Sequence, residues 1–516
     1  MNILSEKVSN QKKEKIDRQK NLGKKTARER INLLLDSGSF EEIDQQVASP
    51  FLEKKLYSDG VITGFGKVNG KQVAVYSQDF TIKGGSLGKH HGQKICKIMD
   101  MAAKIGCPII GIIDSGGARI DEGIHALSGF GEIFMRNVRY SGVVPQISVI
   151  VGPCAGGAVY SPALTDFIFA TKKIGQMFIT GPQVIKEALH QEINKEDLGG
   201  VDVHSTKSGV IHFSYDSEDE CFESLKTFLS YLPSNYLDNN EQDIKECTSD
   251  SGDLFIPAVR YDDSKNNKPG LLPSNSNKSY DVKKVILHVA DKDSFFEVQG
   301  EFAKNIVIAF VRMCGRVVGI VANQPLALAG AIDIDASCKA ARFINFCNSF
   351  GIPIISFVDV PGFLPGVDQE HGGIIRHGAK LLDAYARATV PKITLILRKA
   401  FGGAYIVMGS KHLGADFIYA WPDAQIAVLG AKAAVAILHG KKLNKIDDVD
   451  KRISSQKILE DKYEKKYVNP NVAAEYGYID GIIQPEKTRE HLIRALDITS
   501  NKIERLPKKK QANIPL

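Results

Sequence analysis

Short β-branched runs and longer amphipathic stretches follow one another along this chain. The apolar runs Pro108–Asp114 and Val144–Val151 predict buried parallel strands, since they lack the alternation of a half-exposed strand. Amphipathic stretches from about Gly88 to Ile105 and from Glu122 to Ser141 predict helices. Alternating strands and helices are typical of a parallel sheet. In such a sheet, ligand loops lie at the carboxyl ends of the strands.

Further elements are predicted before and between these segments. Residues 1–22 predict an exposed, charged, helical arm, and the capping-box spacing of Thr26 and Glu29 predicts a helix that begins near Thr26. Gly70 predicts a hairpin turn between two short strands. From about Asn235 to Ser279 the chain is rich in Asn, Ser, Asp, Lys and Pro, which predicts an interdomain linker.

The second half of the chain repeats the first. Short segments recur in the same order at similar offsets, which is unlikely to be chance. The matches are Asn69–Val73 with Cys314–Val318, Gly106–Ile110 with Gly351–Ile355, Asp114 with Asp359, Val144-Pro145 with Val390-Pro391, and Ala155–Ala158 with Phe401–Ala404. Two long units exclude a solenoid and predict two related α/β domains in tandem.

Each predicted domain has a Gly-Gly-Ala turn after a strand introduced by Val-Pro. The turns are Gly156–Ala158 and Gly402–Ala404. A glycine pair between a strand and a helix lets backbone N–H groups face a ligand, and the helix dipole adds positive potential. That is the construction of an oxyanion hole. A tight structural turn is the alternative interpretation of either turn alone, but two such turns indicate two developing oxyanions.

Side-chain catalysis receives little support from the sequence. There is no GxSxG elbow and no Ser/His/Asp grouping at a recognisable spacing. We expect Asp114 and Asp359 to cap loop amides rather than to act as general bases. The histidines near the glycine-rich loops are expected to serve loop polarity rather than catalysis; they are His90, His91, His371 and His377.

Composition narrows the class of protein. The 516 residues suffice for about two to four domains, and the net charge of +6 is too small and dispersed to indicate nucleic-acid binding. The eight cysteines form no CxxC pair, so free buried thiols are expected rather than a zinc site. Without a signal-peptide core or an apolar run of about 18 residues, a cytoplasmic location is expected.

The motifs resemble those of the carboxyltransferase (β) subunit of biotin-dependent acyl-CoA carboxylases, of the propionyl-CoA carboxylase type. They are also similar to those of the large methylmalonyl-CoA transcarboxylase subunit. The segments on which the resemblance rests are Asp114–Arg119, Gly152–Ala158, Ser161–Asp166, Asp359–Gly366, His371–Ala379, Arg398–Tyr405 and Ala420–Pro422.

The resemblance implies two crotonase-like domains of the ClpP/crotonase superfamily. Residues 1–245 would form the N-terminal domain with the acyl-CoA site, and residues 265–516 the C-terminal domain with the biotin site. It further implies a homo-oligomer, a hexamer, in which the active site lies between the N-terminal domain of one subunit and the C-terminal domain of another.

The resemblance also assigns roles to residues. The amides of Gly156 and Gly157 would hold the thioester oxygen as the enolate forms, and those of Gly403 and Ala404 the ureido oxygen of biotin. The implied substrate-binding residues are Ser115, Gly116, Gly117, Ala118, Arg119, Ala155, Ala158 and Ile406. The implied biotin-binding residues are Phe363, Gly402 and Tyr405.

Biotin, as carboxybiotin, would come from a separate biotin carboxylase or biotin carboxyl carrier chain. This sequence has no Met-Lys-Met attachment site, no Walker-type loop and no metal motif. Ile406 leaves propionyl-CoA and acetyl-CoA both open as substrates. A methylmalonyl-CoA transcarboxylase or decarboxylase subunit is the main alternative. A crotonase-type hydratase or thioesterase would need carboxylates that residues 155–160 lack, and a non-catalytic assembly subunit would be expected to lose one turn.

Overall fold

The structure is a computed structural model that describes residues 14–51, 56–238, 260–261, 272–273, 275, 278–508, 510, 513 and 515. The chain divides into two compact units, Met1–Asn239 and Asn240–Leu516. Most of the linker predicted over 235–279 lies outside the described residues, as does the beginning of the predicted N-terminal arm. Residues 14–21 form the first helix, α1.

The first unit is an eight-stranded mixed sheet with helices. Its order is β1-β2-β3-β4-β5-β6-β8, and β7 pairs with β5 outside that path. The strands are β1 Glu41–Ile43, β2 Val61–Val68, β3 Lys71–Gln78, β4 Ile109–Ser115, β5 Gln146–Ala155, β6 Phe167–Thr171, β7 Gln176–Phe178 and β8 Phe213–Tyr215. The further helices are α2 Ala27–Leu34, α3 Lys89–Ile105, α4 Ile124–Tyr140, α5 Tyr160–Leu164, α6 Pro182–Leu189, α7 Lys195–Gly199, α8 Val201–Thr206 and α9 Glu218–Leu229.

The second unit repeats this topology. Its sheet has the order β11-β12-β13-β14-β15-β16-β18, and β17 pairs with β15. The strands are β9 Arg260–Tyr261, β10 Leu272–Pro273, β11 Phe296–Val298, β12 Ile306–Met313, β13 Arg316–Asn323, β14 Ile354–Val360, β15 Lys392–Phe401, β16 Phe417–Ala420, β17 Gln425–Ala427 and β18 Gly481–Ile482. The helices are α10 Val282–Val289, α11 Ile334–Ser349, α12 Val367–Gly372, α13 Ile374–Arg387, α14 Gly402–Val407, α15 Ala431–Leu443, α16 Val449–Tyr467, α17 Pro470–Glu475 and α18 Thr488–Ile498.

The predicted strands and helices of the first half are confirmed, with ends displaced by a few residues. Every residue of β4 is buried, and β4 pairs in parallel with both β3 and β5. This explains its continuous apolar run. The capping box at α2 is also present, because Thr26 accepts from the Glu29 amide and the Glu29 carboxylate accepts from the Thr26 amide.

The internal repeat extends to the hairpin turns. Asn69 and Gly70 connect β2 to β3 with φ values of 48° and 79°, and Cys314 and Gly315 connect β12 to β13 with φ values of 52° and 77°. Two positive φ angles define the turn that best fits the twist of a hairpin. In each unit an aspartate carboxylate, Asp36 or Asp291, accepts both turn amides at 2.8–3.0 Å.

The cysteines only partly match the expectation of free thiols. Six are free, five of them buried and Cys338 half-buried. Cys314 is disulfide-bonded, so the expectation is wrong at this residue. Cys247 lies outside the described residues. In the part of the chain that the structure describes, no helix is long and apolar enough to cross a membrane.

Candidate active site

The first glycine turn lies where β5 leaves the sheet. The parallel pairing of β4 with β5 shifts register between Ile113 and Ser115, and β5 then continues to Ala155. Gly156 follows with φ 65°, in the left-handed region that favours glycine. Residues Gly156–Val159 form one 3₁₀ turn that runs into α5. Amides in the first turn of a helix have no intrahelical acceptor, so those of Gly156 and Gly157 can bind a ligand.

Two loops meet beside this turn. The Gly116 amide donates to the Gly84 carbonyl at 2.9 Å, and Leu87 pairs with Ala118 in an isolated bridge. A Cβ at Gly117 would lie 2.9 Å from the Ala155 carbonyl oxygen. The structure therefore brings the predicted substrate-binding loop, Ser115–Arg119, against the end of β5. The Ser115 hydroxyl accepts from the Gly117 amide, and Ala158 is buried beneath the turn.

Arg119 supports this loop rather than presenting its guanidinium to solvent. Its side chain is 2% exposed. It donates to Asp59 at 2.6 Å and Glu122 at 2.8 Å, and to the Ser86 carbonyl at 3.0 Å. Glu122 also accepts from the Lys89 amide at the start of α3. Arg119, Asp59 and Glu122, hereafter the arginine brace, thus connect the loop to α3 and to the turn before β2.

The pKa values of the two acidic residues of the brace are shifted in opposite directions. Burial raises the pKa of Asp59, although Arg119 opposes the shift. Burial also acts to raise the pKa of Glu122, but the Lys89 amide, Ser49 and Arg119 outweigh it and lower that pKa overall. Both results follow from the competition between desolvation and charge-assisted hydrogen bonds.

His91 adjoins the brace. Its Nδ1 donates to the Asp59 carbonyl at 2.9 Å, and its Nε2 accepts from Gln78 at 3.3 Å. Burial, with help from Arg119, lowers the pKa of His91 to about 3. The neutral imidazole therefore has a structural role, as the sequence led us to expect.

Asp114 differs from the expected cap of loop amides. Its carboxylate accepts from Lys24 at 2.7 Å and from Arg30 at 2.8 Å. Arg30 is 0% exposed and also binds Glu218 on α9 and the Val151 carbonyl. Spacing alone did not reveal this network, because bonded partners such as Arg30 and Glu218 are 188 residues apart. One indication of this network was available in the sequence: Arg30 directly follows the capping box of α2 and precedes apolar residues of the same helix.

The second glycine turn reproduces the first. The pairing of β14 with β15 shifts register between Val358 and Val360, and Gly402 begins α14 with φ 59°. Gly403 is exposed, and a Cβ there would meet nothing within 4 Å. Ala404 is buried. The amides of Gly403 and Ala404 lie in the first helical turn, so they also lack intrahelical acceptors.

Of the predicted biotin-binding residues, Gly402 and Tyr405 lie on the second turn, and Phe363 follows β14 in the chain. Ile332 pairs with Phe363 in a bridge that matches the Leu87–Ala118 bridge of the first unit. The Phe363 ring packs against Gly378 on α13, where a Cβ would approach within 3.0 Å. Tyr405 has a buried hydroxyl that finds no hydrogen-bond partner among the described residues. Ile406 is 38% exposed on α14.

Asp359 binds the strand that leads to this turn. It accepts from the Lys399 amide at 3.1 Å, which is the expected backbone cap, and from the Arg398 guanidinium at 2.9 Å. Burial raises the pKa of Asp359, against the effect of Arg398. The carboxylate is engaged on both oxygens, as a structural group would be.

The sequence did not reveal that two lysines, Lys94 and Lys339, are buried. Lys94 on α3 donates to the carbonyls of Ser58 and Val61, and Lys339 on α11 donates to four carbonyls between residues 299 and 306 at 2.7–3.3 Å. Both are at most 3% exposed. They lie 245 residues apart, the offset of the repeat, so each unit uses a buried lysine to fix the segment before its central hairpin.

Within the described residues, no group of three or more His, Cys, Asp or Glu side chains could hold a metal ion. At each turn, backbone amides without an intrahelical acceptor lie at the positive end of a helix dipole, where they can donate to a ligand oxygen.

Comparison with known proteins shows that this sequence is similar to carboxylase and decarboxylase subunits over nearly its whole length. The propionyl-CoA carboxylase beta chain of Roseobacter denitrificans is 50% identical over 507 residues, 97% of this chain and 96% of that protein. Methylmalonyl-CoA decarboxylase subunit alpha of Veillonella parvula is 48% identical over 523 residues, 100% of this chain and 98% of its own length.

Structural comparison agrees. The transcarboxylase 12S crystal structure, a hexamer with methylmalonyl-coenzyme A and methylmalonic acid bound, is 43% identical. It superimposes with a TM-score of 0.89 over 99% of this chain and 98% of its own. The expectation of an α/β protein with two related crotonase-like domains is confirmed. Residues 18–514 match the carboxyl transferase domain, and the chain belongs to the carboxyl transferase family.

Proposed function

We propose that this chain is the carboxyltransferase subunit of a biotin-dependent acyl-CoA carboxylase. It would move a carboxyl group between carboxybiotin and a short-chain acyl-CoA, which would be propionyl-CoA, acetyl-CoA or both. The observation on which the proposal rests is the pair of glycine turns, each at the carboxyl end of the matching strand in its own unit. Two substrates that each develop an oxyanion require two such donor sets.

In the first unit, the amides of Gly156 and Gly157 would bind the thioester oxygen. Their N–H groups stabilise the enolate more strongly than the neutral thioester, which lowers the barrier to removal of the α-proton. Residues 155–160 offer no carboxylate or imidazole to take that proton. The Ser115–Arg119 loop, fixed by the arginine brace, would place the acyl group against the turn.

In the second unit, the amides of Gly403 and Ala404 would bind the ureido oxygen of biotin. The open space above Gly403 and the unpartnered hydroxyl of Tyr405 fit a polar bicyclic ligand at this place. When bound, biotin supplies both the carboxyl group and the base. The residues of this chain position it and exclude water, with Phe363 and Gly402 as further contacts.

The partner and the assembly follow from the same proposal. A biotin carboxylase or biotin carboxyl carrier chain would deliver the cofactor, and this chain would form a hexamer like that of transcarboxylase 12S. Residues 1–245 and 265–516 would be the acyl-CoA and biotin domains. A cytoplasmic location stays a prediction.

Carboxyl transfer from malonyl-CoA or methylmalonyl-CoA to free biotin tests the proposal without ATP or a partner. We expect Gly157→Val to fold, since a Cβ there meets only the edge of the Phe130 ring at 4.0 Å. The added methyl groups would enter the oxyanion site and lower the transfer rate by about 100- to 1000-fold. Gly131→Val, at an exposed position of α4, is the matched control, because a Cβ there meets nothing within 4 Å. A folded Gly157→Val enzyme with normal turnover would remove Gly157 from the site.

A methylmalonyl-CoA transcarboxylase or decarboxylase is the second candidate. It is favoured by the 48% identity to the Veillonella parvula decarboxylase subunit and by the transcarboxylase structure. The half-reaction on this chain would be the same, so the partner distinguishes the two. Reconstitution with an ATP-dependent biotin carboxylase partner should give ATP-driven carboxylation of propionyl-CoA if the first proposal holds.

A further inference from the structure

A cluster of nitrogen donors lies on the first two turns of α13. The ring of His377 has Lys380 Nζ at 3.2 Å from its Nδ1 and an Arg376 guanidinium nitrogen at 3.3 Å from its Nε2. Cys338 of α11 lies 3.1 Å from the same Nδ1. These three α13 side chains, Arg376, His377 and Lys380, are called the basic cluster below.

The hydrogen bonds within the basic cluster cannot all be satisfied. A neutral imidazole has one N–H and one acceptor nitrogen, whereas guanidinium and ammonium groups are donors only. The ring can therefore accept a hydrogen bond from only one of these two cations, and the other is left without an acceptor on His377. A second proton on the ring would worsen this, and burial together with Lys380 and Arg376 lowers the pKa of His377. An acceptor placed among the three groups would resolve the conflict.

Carboxylates do not neutralise the basic cluster. Among the described residues, neither Arg376 nor Lys380 has an ion-pair partner within 4.0 Å. Farther along the same helix, Arg387 pairs with Asp383 at 2.7 Å. Burial raises the pKa of the Cys338 thiol, and nearby Asp335 and Asp333 add to the shift. Neither aspartate makes an ion pair with the cluster in the ranges that the structure describes.

The position of the cluster favours an anionic ligand. Helix α13 begins after Gly373, which has φ 93° and no side-chain cap, so the positive end of the helix dipole adds to the two cations. Phe363 packs on Gly378, the residue directly after His377. At an offset of 246 residues the first unit has Phe130, Gly131 and Phe134 instead. The basic cluster is therefore a feature of the second unit only.

We propose that Arg376, His377 and Lys380 form a binding site for a phosphate dianion. Two full cations, a neutral imidazole N–H and a helix start suit a doubly charged tetrahedral ion better than a singly charged carboxylate. The phosphate could be the 3′-phosphate of coenzyme A or free inorganic phosphate. Only the first of these sources rests on the proposed function.

Calorimetric titration of the full chain with inorganic phosphate tests the site. The double variant Arg376→Gln/Lys380→Gln should raise the dissociation constant at least about tenfold, since each lost charge-assisted bond is worth about that factor. The control is Lys465→Gln/Lys466→Gln, which removes the same charge from the exposed end of α16. Equal phosphate affinity in wild type and double variant, or no phosphate binding by wild type, would overturn the proposal. The single variant Arg376→Gln should also raise the dissociation constant for phosphate. Because Arg376 is exposed, this variant should fold even if the double variant does not.

The source of the phosphate is identified by titration with coenzyme A and dephospho-coenzyme A. If the 3′-phosphate occupies the site, wild type binds coenzyme A at least about tenfold more tightly and the double variant loses the difference. If the two bind wild type equally while inorganic phosphate still binds, the source is free phosphate. Phosphate binding by an enzyme that fails to transfer carboxyl groups to biotin would refute the proposed function alone.

Discussion

Lys339 shows how much a single residue without a catalytic role can contribute to the stability of the fold. Four backbone carbonyls surround its ammonium group, and the side chain is 3% exposed. Buried carbonyls that lose their donor retain the full cost of desolvation. The lysine is therefore part of the fold, although a lysine in an amphipathic helix is most often solvated.

Lys339→Met tests that role. We expect the free energy of unfolding to fall by about 2 kcal/mol, because methionine fills similar volume but leaves the carbonyls unpaired. Urea denaturation followed by circular dichroism gives the value. Lys304→Met, changed at an exposed lysine of the preceding segment, is the control and should alter stability by less than about 0.5 kcal/mol. An equal, small effect of both substitutions would contradict the interpretation.

The same residue predicts a pH dependence. Burial lowers the pKa of Lys339 from 10.5 to about 7. Between those values the unfolded chain holds a proton that the folded chain has released, so the free energy of unfolding rises with pH. The rise is at most about 1.4 kcal/mol per pH unit. The stability difference between wild type and Lys339→Met should therefore grow from pH 7 to pH 9; parallel curves would show that the folded lysine keeps its proton.

Ile406 is the residue at which we expect acyl-group preference to change. It is 38% exposed and lies one turn into α14, three residues after Gly403. Ile406→Asp should shift the ratio of kcat/KM values toward propionyl-CoA over acetyl-CoA by about tenfold, the usual scale for a one-methylene difference. Val449→Asp, an exposed apolar position on α16, is the control. An unchanged ratio would exclude Ile406 from specificity.

At the scale of elements, the loops at the strand ends owe their shape to contacts from several segments. The Ser115–Arg119 loop pairs with the segment before α3 and is fixed by the arginine brace. The corresponding loop of the second unit has Leu364 where the first has Arg119, at the offset of 245. The brace therefore belongs to the proposed acyl-CoA side alone.

Glu122→Gln should weaken the arginine brace, because glutamine has nearly the volume of glutamate but lacks its negative charge. We expect the KM for acyl-CoA to rise by about 10- to 100-fold, since a displaced loop misplaces the substrate, while the KM for free biotin stays the same. Asp121→Asn is the matched control, because Asp121 is exposed and its ion-pair partner in the described part of the chain is exposed Lys83. Equal changes in both KM values would indicate general destabilisation instead.

At the scale of the whole molecule, two units of the same topology have diverged in their strand-end residues. Both keep the glycine turn, the hairpin aspartate and the buried lysine. They differ in the brace and in the basic cluster. Shared groups maintain the fold, and unshared groups lie beside the loops where two different substrates are proposed to bind.

The predicted oligomer can be tested by complementation. Gly157→Val and Gly403→Val should each lower transfer by about 100- to 1000-fold when expressed alone. If each active site takes its two turns from different subunits, co-expression should restore roughly a quarter of wild-type activity through randomly mixed oligomers. Size-exclusion chromatography with light scattering would show the hexamer in the same samples. No recovery in a mixed hexamer would contradict the inter-subunit site.

The sequence by itself determined the two-domain repeat, the parallel strands, the capping box at Thr26 and the positions of both glycine turns. These features follow from local rules: apolar periodicity, positive φ at glycine, and short spacings between a cap and its partner. The sequence also indicated which loops lie at the carboxyl ends of the strands.

Only the tertiary structure decided what the charged residues contact. Arg119, expected to bind substrate, lies in a buried brace with Asp59, and Asp114, expected to cap amides, pairs with Lys24 and Arg30. Partners 60 to 90 residues apart leave no periodic signal, because an ion pair depends on which segments the fold brings within hydrogen-bond distance. Local sequence fixes the direction of a turn, whereas burial and long-range pairing fix the role of a charge.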